Sequence, residues 1–199
     1  MTTALIFDVA NVIVDWDPTR ALAGQVSDER IQQFFDSEVF WQLNARCDAG
    51  MPIADALVEM DDQAPHLVDL YRLYIERFPL TVSGPIPGTA EVIRDLLAAG
   101  VPCNGLSNWA KENFNVARRA NPVIDELADV IVSGEVGLAK PDPEIFRYAL
   151  ERFDLPADST VMIDDTQVNL DSAAEVGLVT VLFTTAEQLR ADLARLGLL

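Results

Sequence analysis

The chain has 199 residues, half of them hydrophobic, and its 32 acidic side chains outnumber 14 basic ones for a formal net charge of −18. Such length and apolar content suit one globular unit with an ample core and room for an insertion. The charge repels phosphate backbones and anionic lipid, which argues against nucleic-acid and membrane partners, and no apolar run approaches the roughly 20 residues that span a bilayer.

Leu5, Ile6 and Phe7 form a short apolar run of strand character that stops on Asp8 and enters an Ala10-Asn11 turn. A carboxylate therefore sits at the carboxyl edge of a buried strand, where open α/β sheets bind ligands. The start of the chain has no basic region followed by a long apolar run, so no secretion signal is expected. From about Trp16 to Ser83 the pattern turns helical, as at Glu29–Phe35, Ile53–Met60 and Leu67–Phe78, with Asp48-Ala49-Gly50 reading as a turn. So long an excursion must bury its own apolar faces. It predicts a helical cap over residues 16–83, inserted into a core made of 1–15 and 84–199; a helical connection packed into the main core is the alternative. Cys47 and Cys103 lack metal-site spacing and suit a reducing cytoplasm, and the lone His66 reads as a surface or capping residue.

The alternation resumes at Gly84. Thr89 is placed to cap a helix through Val92, Ile93 and Leu97, ended by Gly100. A strand from Val101 to Leu106 stops at Ser107-Asn108, a helix follows from about Ala110 to Ala120, and Val130-Ile131-Val132 reads as another strand. Lys140 precedes Pro141-Asp142-Pro143, which opens a helix. Thr160–Ile163 form a strand ending in Asp164-Asp165, with Asn169 beyond, and Val179–Phe183 form one more. This order predicts an α/β fold, a doubly wound and mostly parallel sheet with helices on both faces.

In a parallel sheet the strand ends share one edge, which gathers Asp8, Ser107, Asp164 and Asp165 with Lys140 at a helix start. Two like charges about 4 Å apart at an effective dielectric near 20 repel by roughly 4 kcal/mol. Raised pKa values or a cation must relieve that, and Mg²⁺ held by carboxylates, a backbone carbonyl and waters is the economical answer. Lys140 and Ser107 then complete an anion pocket, and Asp8 is left to attack phosphorus as a carboxylate nucleophile.

These residues resemble the haloacid dehalogenase superfamily of phosphohydrolases over essentially the whole chain. The resemblance rests on Phe7-Asp8 to Asp15, Leu106-Ser107-Asn108, Gly134-Glu135-Val136-Gly137 leading to Lys140-Pro141-Asp142-Pro143, and Ile163-Asp164-Asp165 with Asn169, Ala173-Ala174 and Gly177. It implies a core with a helical cap, an aspartyl-phosphate route on Asp8, and Mg²⁺ held by Asp8, the Ala10 carbonyl and Asp165, with Asp164 acting through water. Ser107, Asn108 and Lys140 would bind the phosphoryl group, Lys140 pairing also with Asp8; Asp15 would shape the turn and Asn169 orient the Asp164-Asp165 loop.

Position 10 departs from the family, whose phosphatases place a proton-transferring Asp there; Ala10 carries no proton. A substrate with a good leaving group, a substitute acid from the cap or a metal-bound water, or slow turnover on a ligand-binding scaffold would each accommodate this. The Asp-Val-Ala-Asn pattern is similar to the Asp-x-Gly-Asn form of a branch containing sugar-1-phosphate phosphatases. The favoured reading is a Mg²⁺-dependent, cytoplasmic hydrolase of small phosphorylated metabolites. The alternatives are a metal-independent 2-haloacid dehalogenase, a phosphomutase, or a non-enzymatic phosphometabolite-binding protein. Trp16, Phe40, Trp41, Arg46 and Trp109 are candidates for substrate contact, Arg46 as partner of a second anion and Phe40 and Trp41 alternatively as cap core. The sequence leaves oligomeric state, monomer or homodimer, open.

Overall fold

β1 (Ala4–Phe7) is buried along its whole length and has parallel neighbours on both sides, which is why it reads as an unbroken apolar run. The computed structural model describes residues 4–199; the first three residues of the expected core segment lie outside them. After β1 come β2 (Val14–Trp16) and four helices, α1 (Asp28–Phe35), α2 (Glu38–Asp48), α3 (Ile53–Gln63) and α4 (Val68–Glu76). β3 (Val82–Pro85) then leads into α5 (Thr89–Ala98), β4 (Cys103–Ser107), α6 (Phe114–Ala120), β5 (Val130–Val132), α7 (Ser133–Val136) and α8 (Pro143–Phe153). β6 (Thr160–Asp164), α9 (Gln167–Glu175), β7 (Val179–Leu182) and α10 (Ala186–Arg195) complete the order.

The main sheet is five-stranded, β5-β4-β1-β6-β7, and every pairing in it is parallel. Alternate side chains of β1 feed two cores: Leu5 and Phe7 pack with α5, α6 and α10, Ile6 with α8 and α9. That is the doubly wound α/β architecture expected. Phe7 pairs with Gly105 on one side and Ile163 on the other, so the register brings Asp8, Ser107 and Asp164 to one edge at the middle of the sheet.

The helical segment leaves and rejoins this body through one antiparallel ribbon, β2 against β3. Its interior is aromatic: Phe34 lies 4.8 Å from Phe40, and Phe40 lies 5.2 Å from Tyr74, ring centre to ring centre. Phe78 on Trp109, at 6.1 Å, continues that cluster into the core. Phe40 is thus a core side chain of the segment, fully buried.

Two expectations change. Thr89 does not cap α5: Gly88, at φ 84°, holds the N-cap position, and Thr89 is the first helical residue, buried. The helix expected from Ala110 begins only at Phe114, because residues 108–113 form the loop that faces the site. α2 is a helix in a stretch where no helical pattern was singled out, since its ends, Ser37 and Ala49, carry weak start and stop chemistry. Among the described residues no helix is long and apolar enough to cross a membrane.

Candidate active site

The turn after β1 is set by Asn11, at φ 57°, a left-handed conformation that Asn tolerates, and its Oδ1 accepts from the Trp16 amide at 3.1 Å. This leaves Asp8 at the sheet edge with Oδ1 accepting from the Val9 amide (2.6 Å) and from Lys140 Nζ (2.9 Å). Lys140 reaches the same point from the loop before α8, whose start is fixed by Asp142 accepting from the Glu144 amide (2.9 Å) with Pro143 in the first turn. Asn108 anchors that loop with two bonds: its Nδ2 donates to the Lys140 carbonyl (2.7 Å) and its Oδ1 accepts from the Lys140 amide (2.8 Å).

Lys140 Nζ also donates to Asp164 Oδ2 at 2.6 Å. Asp164 is fully buried, and its other bonds come from the Thr166 amide (2.9 Å) and Asn169 Nδ2 (3.0 Å). Asn169 therefore orients Asp164, as expected. Burial, opposed by the Lys140 charge and reinforced by Asp164 and Asp165, pushes Asp8 up to about 7. For Lys140, burial works downward, but the two carboxylates hold it above its ordinary value.

Oxygens of Asp8, Asp164 and Asp165 all lie within 4.8 Å of one another. Three carboxylates, two of them buried and Asp165 reaching solvent, leave net negative charge against one ammonium, and an all-oxygen donor set fits a hard divalent cation. Ser107 ends β4 with its Oγ fully buried and without a hydrogen-bond partner, a donor that its surroundings leave unsatisfied.

Gly134 explains the third motif. A Cβ there would stand 2.7 Å from both the Lys111 amide nitrogen and the Trp109 carbonyl, and its own amide donates to that carbonyl at 3.1 Å. Ser133 Oγ accepts from the Trp109 amide at 2.9 Å. Together they clamp the loop after β4.

A cavity of about 270 Å³ opens from this edge toward the helical segment. Asp8, Ala10, Asn108, Lys140 and Asp165 line its base, and Trp16, Trp41 and Trp109 its walls. Arg46 does not: it points away, in a two-pronged pair with Glu59 on the surface, because α3 presents Glu59 opposite it. Asp15 also lies outside, bonded to Arg20 (2.7 Å) and Ser83, where it fastens the ribbon. The cavity includes two groups that sequence reasoning missed, Tyr74 and Asp48. The sequence places Asp48 in a turn, with nothing local to set it apart from other carboxylates; burial, opposed by the Ala110 backbone and Lys140, pushes it up to about 7.

The five-stranded parallel sheet, with carboxylates and a paired lysine at the carboxyl edge of its central strands, defines a doubly wound α/β protein with an acidic site at that edge. A family model, haloacid dehalogenase-like hydrolase, matches residues 2–177, and the chain belongs to that family. Protein CbbY of Cereibacter sphaeroides is 28% identical over 99% of this chain and 95% of its own. A ribulose-1,5-bisphosphate 5-phosphatase of Halopiger xanaduensis is 26% identical over 94% and 87%. Against drimenol cyclase drtB of Aspergillus calidoustus, 24% identical, the chain spans 37% of the relative's length. A HAD family enzyme from Bacteroides thetaiotaomicron, solved with magnesium and inorganic phosphate, superposes with a TM-score of 0.72 at 18% identity over 93% of this chain and 96% of that one. The protein is a hydrolase with phosphatases among its relatives.

Proposed function

We propose that this hydrolase cleaves small phosphorylated metabolites, sugar 1-phosphates among them, through a phosphoryl group carried transiently on Asp8. The observation that carries the reading is the Asp8–Lys140–Asp164 arrangement with Asp165 beside it. Asp8 Oδ1 is occupied by Val9 and Lys140, which leaves Oδ2 as the attacking oxygen. Lys140 neutralises charge between nucleophile and phosphoryl oxygens, and the Ser107 hydroxyl and Asn108 amide take up further phosphoryl oxygens. Asp8, Asp165 and the Ala10 carbonyl would hold Mg²⁺, with Asp164 reached through water. When bound, the ion offsets the carboxylate charge and polarises the phosphoryl group. Residues 16–83 serve as a cap whose tryptophans select the substrate.

Phosphate release from sugar phosphates, an acyl phosphate and an aryl phosphate, with Mg²⁺ or chelator, tests this on wild type and Asp8→Asn. Release that needs Mg²⁺ and falls by at least about 10⁴-fold in Asp8→Asn is expected. Chloride release from a 2-chloroacid in chelator would establish dehalogenation instead, and binding of phosphorylated ligands without release would establish a binding protein.

A further inference from the structure

The residue two after Asp8 is Ala10, so the turn that holds the nucleophile supplies no proton to a leaving group. The same cavity holds one carboxylate outside the Asp8–Asp164–Asp165 cluster, Asp48, the last residue of α2. It comes from the helical segment and is held from both sides. The backbone of Ala110 hydrogen-bonds to it, Asn44 Nδ2 donates to its Oδ2 at 3.1 Å, and Lys140 acts on it through space. The turn that follows is docked on the loops that clamp the site: a Cβ on Gly50 would lie 3.4 Å from the Gly134 carbonyl, and the Ile53 amide donates to Glu112 Oε1 at 3.4 Å.

We infer, on the reading of this site as an aspartate-based phosphohydrolase, that Asp48 is its general acid and base, performing from the cap the proton transfer that Ala10 cannot. In the first step Asp8 Oδ2 bonds to phosphorus as the ester P–O bond breaks, and the Asp48 carboxyl proton passes to the departing oxygen. In the second, water bonds to phosphorus as the Asp8–phosphorus bond breaks, and the Asp48 carboxylate takes the water's proton. The enzyme returns to its starting state, with alcohol and phosphate released.

A carboxyl displaced to about 7 suits both tasks near neutrality, whereas an ordinary carboxylate has already lost its proton there. The other groups facing Asp48 do not compete. Cys47, Tyr71 and Tyr74 are all pushed upward, chiefly by burial, and stay neutral; Lys140 stays charged; and Glu112 is turned to the Ile53 amide.

The test compares kcat/KM of wild type and Asp48→Asn on para-nitrophenyl phosphate, phenyl phosphate and glycerol phosphate with Mg²⁺. Nitrophenolate leaves without a proton; the glycerol alkoxide does not. The expected loss is about 10²- to 10⁴-fold on glycerol phosphate and less than about tenfold on para-nitrophenyl phosphate. In wild type, the ratio of the glycerol to the nitrophenyl rate should fall as pH rises through about 7, a readout that holds even if the variant folds poorly. An equal loss on all three substrates, or none, together with a pH-independent ratio, overturns the assignment. A wild type that releases phosphate neither from these nor from a sugar 1-phosphate or an acyl phosphate overturns the phosphohydrolase reading itself.

Discussion

Lys140 is buried between two carboxylates, at 2.9 Å from Asp8 and 2.6 Å from Asp164, and among the described residues neither carboxylate has another cation in contact. Lys140→Met therefore strands buried negative charge. Without metal it should cost about 3–5 kcal/mol of unfolding free energy in urea titrations, and phosphate release should be lost with it. Asp8 adds a pH dependence. Its pKa is about 7 in the fold against an ordinary 3.8, so the folded state holds the proton longer than the unfolded chain does. Stability without metal should then decline as pH rises through that window. Mg²⁺ favours the ionised form, so its increment to the melting temperature should be larger at about pH 8 than at about pH 5.5. An increment independent of pH would show that the ion does not engage these carboxylates. The positions of Asp8, Lys140 and Asn169 are legible in the sequence because strand ends and helix starts fix where such residues stand. The placement of Arg46 away from the cavity and of Asp48 in its lining is not legible, because neither the facing Glu59 nor the contact of Asp48 with the Ala110 backbone is visible in local sequence.

At the level of elements, β1, β4 and β6 were readable because central parallel strands are buried on both faces and stay apolar throughout. α2 was not, since its apolar positions answer to partners in α3 and α4 and its ends carry weak signals. The sequence also singled out Gly134 without showing its task, which depends on how closely two loops approach. Gly134→Ala puts a methyl group 2.7 Å from two backbone atoms of the loop after β4. It should destabilise by about 1–3 kcal/mol, read as a lower urea midpoint. It should also depress phosphate release from Asn108 and Lys140 being moved, whereas Gly24→Ala, with nothing near its Cβ, should leave the kinetics intact.

For the whole molecule, the net charge of −18 acts on every approaching substrate. Among the described residues only one of the cavity's lining side chains, Lys140, is cationic, so on the proposed reading a phosphate dianion would meet a repulsive field until it reached the sheet edge. Salt should weaken that field. Raising ionic strength from about 10 to about 150 mM is expected to increase kcat/KM for a phosphate monoester by a few-fold, roughly. A fall with salt would instead mark an attractive approach path.

The β2–β3 ribbon closes residues 17–81 into a loop whose two ends are side by side, Asp17 donating its amide to the Thr81 carbonyl at 2.8 Å. A sheet joined to the rest of the chain in this way is indifferent to what fills the interval, because closure entropy grows only slowly with its length. The interval is therefore an exchangeable cassette over a standing engine. Here the interval brings Trp41 and the Asp48 carboxyl to the cavity, so on the reading proposed above its replacement in descent would change the choice of molecule and the handling of its departing oxygen in one event.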